Sequence, residues 1–152
     1  MHRRLFLTAF AFILTPALAR ADDDPKSIVE QLYKLSAGKD GKYRGESAFL
    51  KPAVEKRWYS SALLSALAAV KRKEAKSGDV ILDFDPITNS QGPSVNKLAI
   101  SVENQTDAAA TVLAQFLADD DKDPQMVRYI FTLEAGAWKL DNMRGEHGGK
   151  DK

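Results

Sequence analysis

Cysteine is missing from this 152-residue chain, and histidine occurs only at His2 and His147. Without cysteine there is no disulfide framework, no thiolate nucleophile and no sulfur ligand for zinc. The two histidines stand near opposite ends, where neither fits a Ser-His-Asp apparatus. Gly-rich phosphate cradles are missing as well. Charge of one sign is also lacking, with 22 Lys and Arg against 21 Asp and Glu, so no dense cationic face is available to displace counterions from nucleic acid. No cofactor and no metal site are therefore expected. The acidic run Asp119-Asp120-Asp121-Lys122-Asp123-Pro124 alternates like a calcium loop, but Pro124 stands where glycine is needed and Ile130 where the closing glutamate belongs, so it reads as a solvated turn.

Long hydrophobic runs are scarce too. Leu5 to Ala19 is uncharged and apolar, shorter than the roughly 20 residues a membrane span needs, and Pro16 interrupts it near its end. Arg3 and Arg4 precede the run, and Ala17-Leu18-Ala19 or Ala19-Arg20-Ala21 closes it, which is the order of a cleaved secretory signal. The expectation is export to the periplasm with cleavage after Ala19 or Ala21, then a single domain over residues 22–144 and a disordered tail over 145–152. Loss of Arg3, Arg4 and Arg20 leaves 19 basic residues against 21 acidic ones, a net charge near −2.

Apolar residues are present, and they are patterned. Ile28, Leu32 and Leu35, with Val29 and Tyr33 beside them, draw a helical stripe that starts behind Asp24-Pro25, a good N-cap and first-turn pair. A polar loop follows over Gly38–Glu46. Helical periodicity then resumes from about Ser47 to Lys76, broken near Lys51-Pro52. Val54, Trp58, Ala62, Ala66 and Ala69 share its buried stripe, widened by Leu63, Leu67 and Val70, and Lys71, Arg72, Lys73 and Lys76 form a solvated C-terminal end. From Val95 the period changes to two. Val95–Val102, Ala108–Leu117, Met126–Leu133 and Ala137–Met143 read as an antiparallel meander. Leu98, Ile100 and Val102 share a face, as do Val127, Tyr129, Phe131 and Leu133, and Trp138 and Leu140. The fold class is α+β, with N-terminal helices packed on one face of a curved antiparallel four-stranded meander. Trp138 is expected to be a principal core residue.

The helix ending in Leu32-Tyr33-Lys34-Leu35, the segment Leu82-Asp83-Phe84-Asp85-Pro86-Ile87-Thr88-Asn89-Ser90-Gln91 and the closing Gly136-Ala137-Trp138-Lys139-Leu140-Asp141-Asn142-Met143 resemble an exported bacterial family, domain of unknown function 3828. The resemblance implies a cone-shaped, cystatin-like fold of the nuclear transport factor 2 kind. That superfamily holds isomerases, dehydratases, binding proteins and immunity modules, so function has to come from the site.

The candidate pocket is centred on Asp83 and Asp85, with amides from Asn89 and Gln91, and with Tyr33, Trp58, Arg128 and Asn142 as further lining. Each has a structural reading beside it. Asp and Asn bond local backbone in turns while Phe84 plugs the core, Tyr33 and Trp58 belong to the core, and Arg128 alternates with its strand's apolar face and points outward. Asp141 and Arg144 read as an exposed pair. The leading expectation is a periplasmic, non-catalytic binding or protein-interaction domain. Its partner is a small apolar ligand or another envelope protein, with a homodimer also open; nucleic acid is excluded, and so is the membrane once the leader is cut. The alternatives are an isomerase- or dehydratase-like enzyme using a buried Asp as general base, and an immunity or inhibitor protein.

Overall fold

Asp24 lies just outside the first helix and accepts hydrogen bonds at Oδ1 from the Lys26 and Ser27 amides at 3.0 and 3.1 Å. That cap and Pro25 at the first turn start α1 (Pro25–Ser36) where sequence places it. The computed structural model describes residues 24–38, 42, 43, 47–91, 94–118 and 123–147. The leader over residues 1–21 and the core of the acidic turn at 119–122 lie outside them.

The buried side of α1 is Ile28, Val29, Leu32, Tyr33 and Ser36. Leu35, expected on that stripe, is 45% exposed. Ser36 takes the inner position because its hydroxyl donates to the Leu32 carbonyl and accepts the Ala48 amide, both at 2.9 Å, tying the helix to the segment that follows.

The second helical stretch is two helices, α2 (Pro52–Trp58) and α3 (Ser61–Ser77). The break at Pro52 is as expected; the one at Tyr59-Ser60 is not. There the chain leaves helical geometry so that the Ser60 amide can donate to the Leu140 carbonyl at 2.9 Å, while the Ser60 hydroxyl caps the Leu63 amide at 2.9 Å and donates to Asp141 at 2.7 Å. The break turns the stripe. Val54 and Trp58 are buried, but Ala62, Ala66 and Ala69 face solvent, and α3 buries Leu67 alone. Asp141 is thus bonded to a helix cap rather than paired with Arg144.

Four strands follow, β1 (Asn96–Gln105), β2 (Ala109–Leu117), β3 (Gln125–Glu134) and β4 (Ala137–His147), in an open antiparallel sheet of order β1-β2-β3-β4. The β3–β4 hairpin turns through Ala135 and Gly136, both at positive φ (50° and 79°), the conformation of a two-residue hairpin loop. β4 continues past Met143 to pair Gly145, Glu146 and His147 with Val127, Met126 and Gln125, so those three residues belong to the sheet and not to a tail.

Helices cover one face of this sheet, which makes the protein α+β. Ala110, Val112, Ala114 and Phe116 of β2, Val127, Tyr129 and Phe131 of β3, and Leu140 of β4 meet α1 and α2 in one continuous core. Burial of that apolar surface, at about 25 cal/mol per Å², is the main stabilising term. Trp138 is only half-buried beside the exposed Leu133 near the hairpin end, so the central aromatics are Tyr129 and Phe131 instead. Among the described residues no helix is long and apolar enough to cross a membrane.

Candidate functional site

The segment from Asp83 to Gln91 crosses from α3 to the sheet and closes one end of the core. Asp85 organises it. The Ile87 amide at 3.0 Å and the Ser47 hydroxyl donate to its Oδ1, and the Thr88 hydroxyl at 3.2 Å and the Tyr43 hydroxyl donate to its Oδ2. Its backbone amide bonds the Ser90 carbonyl at 2.9 Å, and Thr88 N–H returns to the Asp85 carbonyl at 3.2 Å. A buried carboxylate with four donors is a satisfied acceptor. Tyr43 came from the loop read only as polar, and Ser47 from the expected start of the next helix, which the structure begins only at Pro52; the one signal for them is that a buried Asp must find donors somewhere.

This turn drives Ile87 into the core, where it is fully buried, and leaves Phe84 39% exposed, the reverse of the expected plug. The Ile87 carbonyl accepts both the Tyr33 hydroxyl at 3.0 Å and the Tyr129 hydroxyl at 2.9 Å, and Tyr129 also reaches Tyr33 at 3.2 Å. Burial holds both phenols well above the usual tyrosine range. Tyr43 is raised for the same reason first, and by its bond to Asp85 second. Tyr59 is raised by burial.

The rest of the expected pocket is dispersed. Asp83 and Gln91 bond one another at 3.1 Å on the surface. Asn89, at φ 51°, lays its side chain on Gly145 of β4. Trp58 is buried in the core, with the Arg57 guanidinium 5.0 Å from its ring centroid. Arg128 and Asn142 sit on the far face of the sheet. Arg128 binds Glu103 through Nε at 2.8 Å and Glu146 through Nη1 at 2.7 Å, and the exposed Asn142 accepts its neighbour's amide at 2.8 Å. The hydrogen bonds that Arg128 donates to the Glu103 and Glu146 carboxylates hold its guanidinium firmly charged. The eight residues therefore do not converge: Asp83, Asp85, Asn89 and Gln91 share one turn, Tyr33 stands behind it, and Trp58, Arg128 and Asn142 are elsewhere.

What the surface does present is apolar. A groove of about 380 Å³ runs between α1 and β1, lined by Tyr33, Ala37, Tyr43, Val95, Leu98 and Ile100, with Glu30 and Lys34 beside them. Leu98 is 38% and Val102 43% exposed, both on the helix side of the sheet, opposite the β2 positions that face the core. A smaller hollow of about 320 Å³ lies beside α3, where Glu74 accepts the Ile81 and Leu82 amides at 2.8 and 3.1 Å. Those two amides hold the Glu74 carboxyl below the usual range. Among the described residues no cluster of three His, Asp or Glu is placed to hold a metal ion. No family model, curated protein or solved structure matches the chain.

Proposed function

We propose that this chain is a non-catalytic interaction domain of the bacterial envelope, exported by its leader, that binds a protein partner along the α1–β1 side. The observation that carries the reading is the part-exposed apolar stripe of Leu98 and Val102, with Ile100 half-buried between them, on a strand whose outer edge has no described partner. A free strand edge beside an apolar groove is the arrangement that receives an added extended segment, with main-chain bonds supplying affinity and side-chain pockets supplying choice. The buried carboxylate supports the same reading: a general base needs a free lone pair aimed at substrate, and Asp85 spends its oxygens on Ser47, Tyr43, Ile87 and Thr88. The helices-then-meander order also supports kinship with the exported family named above and with its cone-shaped, nuclear transport factor 2-like fold.

A photo-crosslinking residue at Leu98, compared with one at the exposed Asn142 on the opposite face, tests this in intact bacteria. The expected result is a discrete crosslinked protein in the periplasmic fraction from Leu98 and none from Asn142. Equal labelling at both positions, or none at Leu98, refutes the assignment. The groove volume favours a second reading, a small apolar ligand, since it lies within the size range of small-molecule sites. Native mass spectrometry would show such a ligand as a discrete mass added to the monomer.

A further inference from the structure

We propose that α3 and the loop behind it, Ala62 to Leu82, form a cover that opens and closes as one unit over a sheet that stays folded, hinged at Ser60-Ser61 and at the two residues before Asp85. The helix sits shallowly. Of its 17 residues twelve are exposed and four are half-buried, and Leu67, the one buried residue, is still 8% exposed. The shorter α1 buries six of its 12 residues. Tertiary burial of an apolar face is what holds a helix in place, so α3 is held by a small fraction of what fixes α1. Its seat is also incompletely filled. The hollow of about 320 Å³ lies between Leu67, Val70 and Leu82 of the unit and Leu50 of the body, and side chains that line a gap lose the contacts on that side.

The polar ties divide the same way. At the hinge they are several: the Ser60 amide donates to the Leu140 carbonyl and the Ser60 hydroxyl to Asp141, and Ser61 donates to Glu134 through its amide and its hydroxyl, each at 3.2 Å. Past that first turn, among the described residues, the one polar tie from α3 to the body is Lys71 Nζ on Glu55 at 3.2 Å, an exposed pair that contributes little. The bonds from the Ile81 and Leu82 amides to Glu74 lie inside the unit. With Gly78 reversing the chain at φ 76°, they fold the loop onto the last helical turn, so the loop travels with the helix. Motion stops at Asp85, whose carboxylate is fastened to Tyr43, Ser47, Ile87 and Thr88. A segment pinned at both ends and weakly held between them opens at a free energy below that of global unfolding. Opening frees the stripe of Leu63, Leu67 and Val70 and uncovers Leu50, so apolar surface reaches solvent while the sheet remains intact. A helix of this length released from its seat is marginal in water and melts, so its own amides report the event.

Amide hydrogen exchange of the unaltered chain, resolved by peptide in a mass spectrometer, tests the device. The expected result is protection over residues 65–77 that is about 100-fold weaker than at Val112, Val127 and Tyr129 in the central strands. Two variants separate opening of the unit from other routes to exchange. Ile28→Val trims the core under the sheet and should speed exchange of the sheet about five-fold while leaving α3 unchanged, because the open form keeps that core. Leu67→Ala should speed the whole of residues 65–77 by one common factor of about ten or more, since all of them share the one anchor; an α3 left wholly unprotected beside a protected sheet is the same result at its limit. Protection of α3 equal to that of the sheet overturns the proposal. So does acceleration of α3 and sheet together by Ile28→Val, or an effect of Leu67→Ala confined to the turns beside it.

Discussion

Asp83 and Asp85 are two residues apart and chemically identical, yet their surroundings give them opposite weight. Asp83 has one surface bond, to Gln91, whereas Asp85 gathers two hydroxyls from the preceding loop, one from its own turn and a backbone amide. Asp85→Ala leaves four donors without their acceptor and should cost about 3 kcal/mol; Asp85→Asn retains part of the network and should cost about half that. Asp83→Ala should stay within about 0.5 kcal/mol, as surface changes do. Urea unfolding of the three variants measures this order, and an Asp85→Ala protein as stable as the parent would show that the carboxylate does not anchor the loop. The sequence made both aspartates equal candidates because burial is set by what folds over them.

At the scale of elements, the end of β4 shows how a loop and a strand fix one another. A Cβ at Gly145 would stand 2.1 Å from Asn89 Cγ, so only glycine lets the 83–91 turn lie on the sheet. Gly145→Ala should destabilise by about 1 to 3 kcal/mol, the cost of forcing a side chain into filled space. Thermal unfolding followed by circular dichroism checks it, and Asn89→Gly in the same chain should restore much of the loss. The α2–α3 break has the same character. Periodicity runs through Tyr59 and Ser60 without interruption, and the pairing to Leu140 that ends the helix involves a residue 80 positions away in sequence.

For the molecule as a whole, all four tyrosines, Tyr33, Tyr43, Tyr59 and Tyr129, are raised above the ordinary range, in each case with burial as the first cause. A phenol whose folded pKa exceeds its unfolded one contributes stability that is fully present below about pH 10 and is lost as pH rises further. In absorbance at 295 nm, the folded protein should therefore show almost no phenolate at pH 10 to 10.5. All four should ionise together, in step with loss of structure, at higher pH. One tyrosine titrating near pH 10 while the circular dichroism signal is intact would show that its ring is not enclosed as described.

Local pattern settled the parts that depend on near neighbours: the start of α1 at Asp24-Pro25, the four strands and their order of appearance, the helix-facing set of Val127, Tyr129 and Phe131, and the outward aim of Arg128. Those follow from capping chemistry and from side-chain periods of 3.6 and 2, which a single segment carries in itself. Tertiary contact decided the rest. Leu35 lost its place to Ser36, Phe84 to Ile87, and Trp138 to Phe131; strand β4 ran on to His147; the eight candidate residues scattered; and β1 kept an apolar face uncovered. Each outcome turns on which distant group arrives to cover or bond a residue, and that information belongs to the assembled chain.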